Sequence, residues 1–202
     1  MASAGAQRAE RSARRLSEIT DAAAKVFAHR GYHGASTQDI ADVLGMRQAS
    51  LYYYFESKEA ALEAVCANGA EDYAARADTV AKSDAACSEK VATLVLEHLA
   101  PQAERRDYTL AFLRERRFLP RPARERVNAI VRRYERLVER VIADGVARGE
   151  FRKDLDTRMA TLALLGLGTS AALWYGREPG TTVERIARSY IDILVRGFRV
   201  GE

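Results

Sequence analysis

Arg47 and Gln48 stand side by side just after a glycine, and of all the residues in this 202-residue chain they carry the most specific chemistry. An arginine fork can donate to both O6 and N7 of guanine, and a glutamine amide matches N6 and N7 of adenine. Such contacts require the two side chains to project from a narrow, exposed element that enters the major groove. The flanking residues provide one. Ser36 followed by Asp39 has the spacing of a capping box, which predicts a short helix from Thr37. Ile40, Ala41, Val43 and Leu44 give that helix an apolar face. Gly45 permits the positive φ of a tight turn, and a second short helix is predicted from Arg47 to Tyr53. Small Ala41 lets the two helices cross closely, and Leu51 faces back into the angle between them. Arg47, Gln48, Ala49, Ser50 and Tyr52 are then left pointing outward.

The next residues, Tyr52-Tyr53-Tyr54-Phe55, cannot all face one core from a helix, so at least one ring is expected at the surface. Phenol hydroxyls there can donate to phosphate oxygens, while Phe55 reads as core. Ser57 is a good N-cap, and the helix it starts would aim free N–H groups and Lys58 at a phosphate. Other chemistries find no support. His29 and His33 are four residues apart, but Gly31 breaks the helix between them, which removes a metal pair. His98 has no nucleophile motif beside it, and neither GxSxG nor HExxH occurs. The segment Gly145 to Gly149 lacks the lysine of a P-loop. No catalytic residue, metal site or cofactor is expected. A helical enzyme is thus a weaker reading than a DNA-binding protein, and a nonspecific architectural DNA protein is the nearer rival.

Composition agrees without deciding. A hydrophobic share of 48% with 30% charge suits a folded globular chain. The net charge of +4 and pI near 9.2 favour a polyanionic partner. Cys66 and Cys87, outside any CxxC, make no disulfide framework, and the arginine-bearing N-terminus has no apolar signal region. A cytoplasmic protein is expected. The uncharged run Met159 to Gly176 reaches only the lower length of a membrane span and is broken by Thr161, Gly166, Gly168, Thr169 and Ser170, so it reads as a helix buried within protein.

Helical periodicity fills almost the whole chain, predicting an all-α fold. Leu16, Ile19, Ala22, Ala23, Val26 and Phe27 mark a first amphipathic helix ending before Gly31. Pro120 and Pro122 interrupt the pattern, a long charged helix follows from Val127 to Val146, and Gly149 is its stop. The last helices are predicted from Thr157 to Tyr175 and from Thr181 to Arg199. The resulting layout is a flexible basic tail over 1–11, a three-helix helix-turn-helix DNA-binding domain over 12–58, and a larger helical ligand-binding and dimerisation domain over 59–202. One short helix reads too few bases for specificity, so a homodimer on a palindrome of double-stranded operator DNA is required. Leu164 and Leu167 are expected at the dimer contact, with Gly166 and Gly168 allowing close approach. Tyr108, Phe112, Arg116 and Trp174 are expected to line a cavity for a small hydrophobic effector.

The segment from Gly31 to Glu59 resembles the TetR family of transcriptional regulators. The matching residues are Gly31-Tyr32, Thr37 with Ile40-Ala41, Gly45-Met46, and Leu51-Tyr52-Tyr53-Tyr54-Phe55 followed by Ser57-Lys58-Glu59. The resemblance implies phosphate contacts for Thr37, Tyr52, Tyr53 and Lys58, and places Arg47, Gln48 and Ala49 near bases. It implies a repressor that pairs its last two helices with those of a second copy. Tyr54 departs from the histidine frequent in the family, and Arg47 from a small serine, so the operator cannot be borrowed. The stretch from Phe112 to Phe151, with the ending GVARGEFRKDLD, resembles members that sense acyl-CoA thioesters. That likeness implies that Arg114, Arg116, Arg117 or Arg121 meets CoA phosphates.

Overall fold

The computed structural model describes residues 4–199, and among them every regular element is helical. The first helix, α1 (Ala4–Gly34), corrects the tail expected over 1–11: the chain is helical from Ala4, and residues 1–3 lie outside those described. The reason is local, because residues 4–15 contain no proline and are rich in Ala, Arg, Gln and Glu, which hold helical dihedrals at little cost. The helix breaks at Gly31, whose φ of 67° and ψ of 167° only glycine adopts readily. There follow α2 (Thr37–Val43), α3 (Gln48–Leu51), α4 (Lys58–Lys82), α5 (Cys87–Leu99), α6 (Pro101–Glu104) and α7 (Arg106–Glu115). A 3₁₀ turn (Arg116–Phe118) leads to α8 (Arg121–Ala147), then α9 (Thr157–Trp174) and α10 (Val183–Phe198). Pro122 sits in the first turn of α8, where its missing N–H costs no helical bond.

These helices form two compact units, and the division does not fall at residue 58. The first unit holds the chain up to Gly69 together with Asp107–Val127, and the second holds Ala70–Arg106 and the chain from Asn128 onward. The boundary thus lies inside the continuous helix α4, where composition leaves no mark. Its first turns bury Ala61, Leu62, Val65 and Cys66 with Ile19, Phe27, Ile40 and Leu51, and Tyr108, Ala111, Leu119 and Val127 return to complete that core.

The second core is built by α5, α8, α9 and α10 around Val91, Leu94, Val138, Ile142, Leu164, Ile186, Leu194 and Phe198. Two glycines are fixed by contact there. A Cβ on Gly145 would lie 2.3 Å from the Phe151 ring, and one on Gly168 would lie 1.8 Å from His98 Cδ2. Gly168 therefore admits a histidine of its own chain, which corrects its expected place at a dimer contact. Leu164 is corrected too, being 1% exposed inside this core, and Leu167 packs against it. The outer face of α9 instead presents Met159, Leu162 and Leu173, and α10 adds Ile193, each between 40% and 61% exposed. No helix of the described residues is long and apolar enough to cross a membrane.

Beside Gly168, His98 is buried with its Nδ1 2.8 Å from the Tyr134 hydroxyl and its ring near that of Tyr73. Burial pulls the imidazole down to about 4, so the folded chain keeps it neutral while the unfolded chain takes up a proton below about 6.5. Stability from this group is full above pH 6.5 and declines as pH falls toward 4, by up to about 3 kcal/mol. Thermal melts across that window should show the loss in the natural protein and a flatter profile in His98→Gln. Equal acid sensitivity in both would remove His98 as the cause.

Candidate nucleic-acid interface

The interface is built on reciprocal hydrogen bonds at the start of α2. The Ser36 hydroxyl oxygen accepts from the Asp39 amide at 3.1 Å, and the Asp39 carboxylate accepts from the Ser36 amide at 2.8 Å. The Ser36 bonds hold the Asp39 carboxyl below the usual carboxylate range, with Arg30 paired to it as a further cause. The chain leaves α2 through Gly45, whose φ of 61° lies in the left-handed region; a Cβ there would meet no neighbour, so backbone conformation alone demands glycine. Ala41, Ile40 and Leu51 are each fully buried where α2 and α3 cross.

The second helix is shorter than predicted. Arg47 is its extended N-cap, and Tyr52 its C-cap. The Leu51 carbonyl accepts from the amides of both Tyr54 and Phe55, at 2.9 and 3.0 Å, so the chain tightens into a turn before the aromatic run ends. That turn sorts the four rings. Phe55 is buried, Tyr54 is half-buried, Tyr52 is 49% exposed and Tyr53 is 84% exposed.

Across the exposed edge runs a polar row. Gln48 Nε2 donates to Thr37 Oγ1 at 2.7 Å, and that hydroxyl lies 3.3 Å from the Tyr52 hydroxyl. Thr37 is itself only 8% exposed, so it braces Gln48 and Tyr52 from below. Arg47, Ala49 and Ser50 stand exposed around the row. The structure therefore brings Thr37, Arg47, Gln48, Ala49, Ser50, Tyr52 and Tyr53 to one small surface.

Lys58 has a different surrounding from the one expected. Its ammonium donates to the carbonyls of Tyr32 and Ala35, at 2.9 and 3.0 Å, and lies 4.2 Å from the Tyr32 ring centroid. Two of three N–H groups are thus used inside the protein. Ser57 does cap α4, its hydroxyl accepting from the Ala60 amide at 3.1 Å.

Three residues to which the sequence assigned no role, Tyr32, Glu59 and Glu115, hold this surface in place. The Tyr32 phenol donates to the Glu59 carboxylate; burial and this bond push the phenol up to about 12 and hold Glu59 below its ordinary value. The Tyr32 amide donates to the Glu115 carboxylate at 2.8 Å, and Glu115 is 9% exposed. A signal existed: a helix broken by a positive-φ glycine leaves the following amide without a partner. Glu115 itself was hidden among Arg114, Arg116 and Arg117, a run that reads as a solvated face.

The four residues expected at an effector do not gather in one unit. Tyr108 is buried in the first, its hydroxyl donating to Asp21 at 2.7 Å. Phe112 lies in the same unit beneath the Arg116 guanidinium, 4.8 Å from its ring centroid. Trp174 packs on the second core.

Residues 19–65 match the family model for bacterial regulatory proteins of the tetR family, and residues 84–198 match a tetracyclin repressor-like C-terminal domain. The chain is similar to a fatty acid metabolism regulator protein of Bacillus subtilis, 25% identical over 89% of this chain and 93% of the relative. It is similar to the HTH-type transcriptional repressor KstR2 of Rhodococcus jostii, 27% identical over 91% of this chain and 90% of the relative. Its fold matches the crystal structure of the regulator FadR from Bacillus subtilis in complex with stearoyl-CoA, with a TM-score of 0.77 at 24% identity over 90% of this chain and 98% of that one. With both halves matched and the helix-turn-helix in place, the chain belongs to the tetR family and is a DNA-binding transcriptional regulator.

Proposed function

We propose that this regulator is a homodimeric repressor that holds a palindromic operator through two copies of α3 and releases it when a hydrophobic or acyl-CoA-type effector binds. The observation that carries the reading is the braced row of Thr37, Gln48 and Tyr52, flanked by exposed Arg47, Ala49, Ser50 and Tyr53. Thr37, Tyr52 and Tyr53 serve phosphates; Arg47, Gln48, Ala49 and Ser50 face bases. Lys58 contributes at most its third N–H to a phosphate. The reading assigns the chain no catalytic role and no cofactor, and places it in the bacterial cytoplasm with its DNA.

The second copy is supported by the apolar row on α9 and α10. Met159, Leu162, Leu173 and Ile193 are large apolar side chains left in water, and Gly166 beside them has open space where a Cβ would be. Pairing this face with its symmetry mate covers the row and supplies the second recognition helix that a palindrome requires. The effector class is supported by the fatty acid and KstR2 regulators and by the stearoyl-CoA complex of the FadR neighbour. Of the arginines expected at CoA phosphates, Arg114, Arg117 and Arg121 are all exposed; Arg121 is paired with Glu125 at 2.8 Å and Arg117 lies 4.8 Å from the Phe118 ring centroid.

Three measurements test these parts. An inverted repeat from the DNA beside the protein's own gene should bind the dimer, and Arg47→Ala should weaken that complex by about 1–3 kcal/mol with little effect on random DNA. Equal losses on both would move Arg47 to a phosphate. Leu162→Asp or Ile193→Asp should yield folded monomers by light scattering that no longer bind the repeat; an operator-binding dimer carrying either change would overturn the assigned face. Titrating the complex with acyl-CoAs, free fatty acids and neutral hydrophobic compounds should release DNA with the CoA thioesters. Release by neutral compounds alone would reject the thioester class.

A further inference from the structure

A second group of exposed arginines lies on the early turns of α1. Arg15 donates to Glu18 at 2.8 Å and lies 3.9 Å from the sulfur of Met46, the residue immediately before Arg47. The Arg15 side of α1 therefore adjoins the α2–α3 turn. Positions three, four and seven residues apart share one side of a helix, so Arg8 and Arg11 stand on the Arg15 side, about 10 Å and about 6 Å further along the axis. Glu10 falls about 140° round the helix from Arg15, off that side. Residues 5–14 are all exposed, so no apolar packing accounts for these turns. Arg14 faces Glu18 at 3.9 Å, but neither Arg8 nor Arg11 has an acidic partner among the described residues. Arg11 spends its Nε proton on the Gln7 carbonyl at 3.4 Å, which leaves both terminal nitrogens outward.

We infer that Arg8 and Arg11 extend the DNA interface, binding phosphates of the duplex that flanks the bases read by α3. The inference rests on the operator reading above and adds two residues and a flank to it. The guanidinium fork suits phosphate oxygens bidentately, and a row that starts at Arg15, beside Met46 of the α2–α3 turn, is placed to meet the same polyanion. Because these contacts read no base, their signature is salt dependence and not sequence preference.

The test uses the full-length dimer, natural and R8Q/R11Q, with two duplexes: the inverted repeat with a helical turn of flanking sequence at each end, and the repeat trimmed of its flanks. Glutamine keeps helix propensity, and circular dichroism checks that helix content is unchanged. With each lost contact lowering the slope of log affinity against log salt by about 0.9, the double variant should lower it by about 1.8 per subunit engaged on the long duplex. On the trimmed duplex the two proteins should converge. An unchanged slope and affinity on the long duplex would overturn this inference and leave the operator reading standing. Natural protein that binds neither duplex would overturn both.

Discussion

Where α1 breaks at Gly31 and ends at Gly34, the amide of Tyr32 and the carbonyls of Tyr32 and Ala35 take side-chain partners, and the rest of the DNA-binding surface depends on these bonds. Buried backbone groups left alone cost about 1–3 kcal/mol each. Here the amide goes to Glu115, and both carbonyls go to Lys58. The Tyr32 ring stacks on Phe118 at 5.4 Å between centroids, and His33 meets Phe118 edge-on at 4.5 Å. One residue from α7 and one from α4 thus hold the end of α1, from which Ser36 immediately launches α2. Replacing Glu115 would strand a half-buried amide, and replacing Lys58 would strand two carbonyls. Neither loss would touch a base, yet both would loosen the frame on which the base-facing residues stand.

That frame explains why so short a helix can present a defined surface. An isolated helix of four residues has no stability of its own, since nucleation alone exceeds what its hydrogen bonds return. The α3 geometry is set by Leu51 beneath it, by the capped turn of α2 beside it, and by Thr37, whose hydroxyl holds Gln48 and Tyr52. Side chains already ordered before binding lose less entropy when they bind. The charges follow the same logic. Lys58 and Glu59 are drawn into the frame by Tyr32, and the cations left outward near the turn are arginines.

In the second unit the constraint is close approach. Gly168 lets the His98 ring lie against α9, and Gly145 lets Phe151 fold back under α8. Each glycine fixes which side of its helix is crowded, and by exclusion which side stays open. On α9 the crowded side carries Ala160, Leu164, Gly168 and Ala171, and the open side carries Met159, Leu162, Gly166 and Leu173. The helix is apolar on both, so its composition alone does not say which leucine faces inward.

That ambiguity shows where sequence reading reaches and where it stops. Local signals were sufficient wherever the cause was local: Ser36 and Asp39 cap α2, Gly45 turns the chain, and Gly149, at φ 75°, ends the long helix. The all-helical fold and the cluster around Arg47 follow from such signals. Long-range pairings left no comparable trace. Glu115 lies 83 residues from the Tyr32 amide it accepts, and its arginine neighbours disguise it as surface. The same holds for Leu164 against Leu162, which only the position of His98 and α5 distinguishes. The early turns of α1 were hidden for the opposite reason. They bury nothing, so a reading that finds helices through their apolar stripe passes over a segment whose helix rests on propensity alone. Its information lies in the charges, and these acquire direction only once Arg15 is seen beside Met46.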